Sequence, residues 1–253
     1  MRTFGRTVRL GALTSIYVVT DVATGRFPFR DAVVQAWFLL TVTVLPAILM
    51  SIPFGVIIAV QIGSLTSNLG ASSMSGAVGG MGVMQQGAPM AAALLIGGAG
   101  ASAVAADLGA RTIREEIDAM RVLGIDPMRR LVAPRLVAMT LVAPVLAIFI
   151  ILVSVLASFV VAVMGQGVVS GSYWQSFGSF ASITDLAICV FKSVIFGYVV
   201  VIIASYRGLD AKGGPRGVAD AVNAAVVLGI VVAVVLNLVI TQVTSMFYPP
   251  QLV

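Results

Sequence analysis

An all-α, multi-pass membrane protein is predicted by three observations: high hydropathy, long runs without charge, and the lack of alternation within those runs. Of 253 residues, 59% are hydrophobic and 10% charged. The mean hydropathy of +1.08 exceeds what a globular surface in water tolerates. No charge occurs from Ala32 to Ala106, from Leu136 to Thr184 or from Ala221 to Val253. Each run is longer than the roughly 20 apolar residues that cross a bilayer as a helix. The runs are continuous, without the dyad pattern of outer-membrane strands, and open sheet edges do not persist in lipid. The simplest partition is five spans, at 36–62, 89–110, 132–163, 185–206 and 218–246, within a single domain of residues 1–253.

Residues 1–35 are too interrupted to span, given Asp21, Arg26, Pro28, Arg30 and Asp31. Leu10, Leu13, Ile16, Tyr17 and Val18 lie among Arg2, Arg6 and Arg9, which suits an amphipathic helix in the plane of the interface. A disordered tail is the alternative. The basic lead and apolar run superficially fit a signal peptide, but Thr14, Ser15 and Asp21 interrupt it and no small-x-small cleavage site follows, so the segment is read as retained.

Span one carries Pro46 and Pro53, and Pro134 and Pro144 lie around span three; these predict kinks that free backbone carbonyls. Residues 63–82, rich in Ser, Asn and Gly, are expected to be a loop with a frayed helix end. Span two repeats small residues at four-residue intervals, Gly97, Ala101, Ala105 and Gly109, and span one has Gly55, Ala59 and Gly63. Such faces let helices approach closely, in the bundle interior or at a dimer seam. After the long third span, the connection near residues 165–185 carries Tyr173, Trp174, Phe177 and Phe180, aromatics that suit a membrane interface.

The chain has 15 lysines and arginines. All but Lys192 fall in the first 30 residues, between Arg111 and Arg135, or in residues 206–217. Alternating five spans puts these three regions on one side. The positive-inside rule then predicts a cytoplasmic N-terminus and an exterior C-terminus in the plasma membrane. With no basic groove, nucleic acid is not an expected partner.

Ten charges lie between Arg111 and Arg135. Ile113, Ile117 and Met120 are spaced as one helical stripe, with Arg114, Glu115, Glu116, Asp118 and Arg121 around the rest. Pairs such as Arg111 with Glu115 and Asp118 with Arg121 are worth about 0.3 kcal/mol each on a wet surface, too little to explain the cluster by stability. Gly124 is placed to stop the helix, Asp126 to cap the next and Pro127 to open it. The prediction is a bounded cytoplasmic helix over 111–123. A solvated loop helix is the plainer reading, but helix-to-helix connections usually need only about 2–8 residues, and a docking surface needs more.

Catalysis has little to work with. Histidine is absent, and the one cysteine, Cys189, lies in an apolar run as a small hydrophobe. The usual metal sites and Ser-His or Cys-His systems therefore lack their parts. A P-loop needs Gly-Lys-Ser/Thr, yet Lys192 follows Phe191 and Lys212 follows Ala211. No cofactor is expected on this chain, and any ATP and Mg would be bound by a partner. Lys192 is the one charge well inside a span; it either serves function or is structural, snorkelling or pairing with Asp185.

Two segments carry a resemblance. "ADLGARTIREEIDAMRVLGIDPMRRLVAPR", residues 106–135, resembles the signature of the YrbE/MlaE permease family, the membrane subunits of ABC transporters that work with Mce-domain proteins, and is similar in particular to actinobacterial members of mce operons. "FGYVVVIIASYRGLDAKGGPRGVADAVNAAVV", residues 196–227, matches a second motif in the same order. The resemblance implies an interfacial helix and five spans, a second permease (identical or paralogous), an ABC ATPase dimer in the cytoplasm and Mce proteins outside. It implies that Glu115, Glu116, Asp118 and Ala119, flanked by Arg114 and Arg121, form the coupling helix that seats in a groove of the ATPase. Where many relatives have an Arg-Glu pair before the second span, this chain reads "QQGAP" with Gln85 and Gln86.

The expected function is that of a permease subunit, not itself an enzyme, moving phospholipid, fatty acid or sterol. Few polar groups line the spans, which suits an apolar cargo. At ~0.8 kcal/mol per methylene, a lipid with about thirty would cost ~24 kcal/mol to release into water, so a covered hand-over is required. The alternatives are a secondary transporter or channel for a small solute, although no relay of buried acids is visible, and a non-transporting scaffold.

Overall fold

A computed structural model describes residues 2–25, 27–70 and 74–247. Arg26 and residues 248–253, which include the C-terminus predicted to be exterior, lie outside the described residues. The described chain is all-α, with no strand among the described residues. The helices are α1 (Arg2–Ala23), α2 (Phe29–Asn68), α3 (Ser75–Gly82), α4 (Ala88–Leu95), α5 (Ala101–Ile113), α6 (Glu116–Val122), α7 (Ala133–Gln166), α8 (Ser170–Phe180), α9 (Ile183–Leu209) and α10 (Pro215–Phe247). Five helical stretches are long and apolar enough to cross a membrane: Phe29–Thr66, Ser75–Ile113, Met128–Gln166, Ile183–Leu209 and Pro215–Phe247.

Single π-type turns join α3 to α4 (Val83–Gly87), join α4 to α5 (Ile96–Gly100) and lead into α7 (Met128–Val132). Two of them end immediately before an Ala-Pro pair, Ala88-Pro89 and Ala133-Pro134. In each case the alanine N–H reaches back five residues, to Val83 or Met128. A wider turn accommodates the donor that proline lacks while the segment stays helical. Pro46 and Pro53 lie inside a continuous α2, and Pro144 inside α7.

The chain forms two compact units. The first contains the residues up to Thr43, Leu94–Ala143 and Val194–Leu236. Within it α1 lays Leu10, Gly11 and Thr14 inward, and the Ser15 and Tyr198 hydroxyls share a 2.7 Å hydrogen bond. Its opposite face leaves Ile16 and Val19 exposed. Phe27, Ala32 and Ala133 form a small core with Val18 and Val137. The four-residue stripe is buried against the same chain. A Cβ on Gly97 would meet the Ile230 backbone at 2.8 Å; Ala101 faces Gly229; Ala105 lies under Gly208; and Gly109 meets Val218 and Ala211. Of the two roles open for this stripe, the intrachain interior is the one seen here.

The second unit contains Val44–Ala93, Pro144–Ser193 and the chain from Asn237. Here two expected loops are helical in part, with residues 71–73 of the first outside the described residues. Within residues 63–82, α2 runs on to Asn68 and α3 begins at Ser75; in the aromatic connection, residues 170–180 form α8. α3 is half glycine, each residue disfavouring helix by about 1 kcal/mol relative to alanine. Its helicity comes from packing: Gly76 sits against the Tyr173 carbonyl and Gly80 against the Phe177 ring. Phe159, Tyr173, Trp174 and Phe177 stack edge to face or tilted at 5.2–5.8 Å. Burial raises the Tyr173 phenol above its ordinary pKa. The neutral hydroxyl donates to Ser158 Oγ at 3.3 Å. Elsewhere along α7, Ser154 donates to the Ser51 carbonyl at 3.0 Å and the Gln166 amide to the Ala59 carbonyl at 2.9 Å.

Candidate functional site

The dense charge of residues 107–135 is organised by one left-handed residue. α5 ends at Ile113 and α6 starts at Glu116, because Glu115 has φ +61°. Such a conformation costs a non-glycine residue roughly 1–2 kcal/mol. The continuous helix expected over 111–123 is therefore broken, and its apolar stripe with it. Of Ile113, Ile117 and Met120 only Ile117 is fully buried. Local punctuation is as the residues dictate at the other end. Gly124 has φ +75°, its N–H bonds the Arg121 carbonyl, and the Ile125 N–H bonds the Met120 carbonyl, a Schellman closure. Asp126 Oδ1 then accepts from the Met128 N–H at 2.9 Å.

The side chains form a relay of alternating sign. Arg114 pairs with Glu116 at 3.2 Å, Glu116 with Arg111 at 3.3 Å, and Arg111 with Asp107 at 3.2 Å; Asp107 then pairs with Arg135. Side-chain exposure falls along it from 63% at Arg114 to 2% at Arg135. Arg135 also donates to the Leu131 carbonyl, while its Nε is buried without a partner. Arg111 thus bonds Asp107 and Glu116, where a bond to Glu115 was expected. Asp118 and Arg121 pair at 2.8 Å as expected, both exposed. Ala119 is exposed on the same helix.

Asp107 and Arg135 were not singled out from the residues. Their signal was available: each closes one end of a charge-free run, on consecutive spans. A second set of contacts pins α1 and the start of α2 to the turn before α7. Arg129 pairs with Asp21 at 3.4 Å and lies 4.8 Å from the Tyr17 ring centre, and Arg130 pairs with Asp31 at 3.3 Å.

Beside the exposed Asp118–Arg121 pair, the C-terminal tip of α6 and the turn after it leave apolar side chains uncovered. Val122 is 89% exposed and Leu123 74%, with Ile125 beside them. An open crevice of about 440 Å³ lies alongside, lined by Glu115, Ile117, Asp118 and Arg121 on one side and by Lys212 with Gly213 on the other.

Lys192 is 1% exposed and pairs differently from expectation. Its ammonium donates to Thr241 Oγ at 2.9 Å and to the Gln85 carbonyl at 3.4 Å. Pro89, four residues after Gln85, has no N–H to offer that carbonyl. Asp185 accepts instead from the Gln85 amide at 3.2 Å. Lys192→Met keeps the volume and removes a desolvated charge, but takes the ammonium donor from the Gln85 carbonyl and Thr241 Oγ at a cost of about 1–3 kcal/mol. The expected outcome is a folded protein of normal membrane abundance, checked by thermal stability in detergent. Altered transport in that folded variant would assign Lys192 a functional role.

No group of acidic, histidine or cysteine residues suited to hold a metal occurs among the described residues. The fold and the charged turn together define a polytopic helical membrane protein that presents a built surface at one end of its second and third spans. Residues 32–243 match the family described as Permease MlaE, and the chain belongs to that family. It is 27% identical over 183 residues to a probable ABC transporter permease of Synechocystis, covering 72% of this chain and 70% of that protein. A permease of the same description from Rickettsia typhi is 24% identical over 240 residues, 94% of this chain and 92% of that protein. The intermembrane phospholipid transport system permease MlaE of Haemophilus influenzae is 28% identical over 156 residues, 61% of this chain and 60% of that protein.

Proposed function

We propose that the whole chain is one permease domain, the membrane subunit of an ATP-driven lipid transporter, with α6 and the turn after it as the surface on which a separate ABC ATPase dimer acts. One observation carries this reading: a short helix with an exposed apolar tip is wired by ion pairs to the ends of two spans, half-buried at Asp107 and buried at Arg135. A mere connection needs neither part. The first unit contains every described lysine and arginine except Lys192, which supports a cytoplasmic N-terminus and an exterior C-terminus by the positive-inside rule. The α1 helix, with Ile16 and Val19 exposed along it and Arg6 and Arg9 exposed near its start, suits the interfacial plane. ATP and Mg belong to the partner, a second permease completes the pore, and Mce proteins receive or deliver the lipid outside.

The phospholipid system named for the Haemophilus relative supports phospholipid as cargo, with fatty acids and sterols the related classes. The test is co-purification. Replacing both Val122 and Leu123 with aspartate is expected to reduce the recovered ATPase at least about tenfold, because two carboxylates would be carried without partners into an apolar contact, while the permease stays folded. Undiminished recovery would remove α6 as the docking surface.

A further inference from the structure

We infer that Arg111 is the positioning residue that ties the movement of α6 to spans two and three, so that energy delivered at α6 reaches the lipid path; this rests on the permease reading above. α6 has seven residues and a single fully buried side chain, Ile117. It joins α5 only through Arg114 and the left-handed Glu115. A helix held so lightly would swing about that turn without moving the spans. The Arg111 guanidinium prevents this by bonding two carboxylates at once, Asp107 on α5 through Nε and Glu116 on α6 through Nη1. Its planar fork holds both in fixed geometry, as a flexible point charge cannot. Asp107 passes the constraint to Arg135, buried on α7. Cutting the relay at Arg111 leaves the Arg114–Glu116 and Asp107–Arg135 pairs intact, so no buried charge loses its partner.

The experiment measures lipid transferred per ATP hydrolysed by the purified complex in proteoliposomes carrying a fluorescent phospholipid. For Arg111→Met the ratio is expected to fall about twofold to thirtyfold, the range of coupling along such a network. Arg111→Lys is expected to recover part of the loss, and the thermal stability of the complex to change little in both. An unchanged ratio in Arg111→Met overturns the inference, as does a fall matched by equal loss of thermal stability, which would make the relay structural only. If Arg111→Met does not assemble, Glu116→Gln cuts the next link, and an unchanged ratio there overturns it equally. A wild-type preparation lacking any ATPase is a different failure: it overturns the permease reading before any variant is compared.

Discussion

Asp107→Leu is expected to destabilise the protein by about 3–5 kcal/mol, and Arg135→Met by clearly less, although both break the same pair. The asymmetry follows from burial. Without Asp107, the Arg135 guanidinium is left 2% exposed with a carbonyl as its remaining acceptor and an Nε that already lacks one. Without Arg135, Asp107 remains about one-third exposed and still bonds Arg111. The double variant is expected to be more stable than Asp107→Leu alone, because the stranded cation is gone. Thermal unfolding of the three variants in detergent, followed by size exclusion, reads this order directly. Equal losses for the two single variants would mean that Arg135 finds water or another acceptor.

The same pair shows what a sequence reveals and what it hides. Five spans were legible because apolar runs without charge admit no other solution in lipid. The stop at Gly124 and the cap at Asp126 were legible because they are local, set by residues within a few positions of each other. The break at Glu115 was not, since a left-handed glutamate has no compositional mark. Nor was the Asp107–Arg135 contact, which joins residues 28 positions apart and needs the two spans to be laid side by side first. α3 and α8 were hidden for a related reason: serine and glycine read as loop by propensity, yet those glycines are what admit the Tyr173 carbonyl and the Phe177 ring. Lys192 was legible as an oddity, while its partners, on other helices, were not. The small-residue stripe from Gly97 to Gly109 was legible in full, but the surface it meets had to be seen.

That surface makes the second large prediction. Gly97→Val is expected to cost at least about 3 kcal/mol, at the upper end for overpacking, while Gly98→Ala, one residue on, is expected to be neutral or slightly stabilising. A Cβ at position 97 would stand 2.8 Å from the Ile230 nitrogen and 2.9 Å from its Cα. Both are backbone atoms, so no rotamer change relieves the clash and α10 must move away. The approach is mutual: a Cβ on Gly229 would lie 3.2 Å from the Gly97 carbonyl oxygen. In lipid, apolar burial gives no force to pull the helices back, because hydrocarbon tails are as apolar as the valine; close packing is itself the attraction, and it is lost over the whole contact. At Gly98 an added methyl meets nothing within 4 Å. Thermal unfolding of the two variants in detergent compares neighbours of the same residue type in the same turn. Equal stability for Gly97→Val and wild type would show that α10 packs elsewhere, and would remove the intrachain role of the stripe.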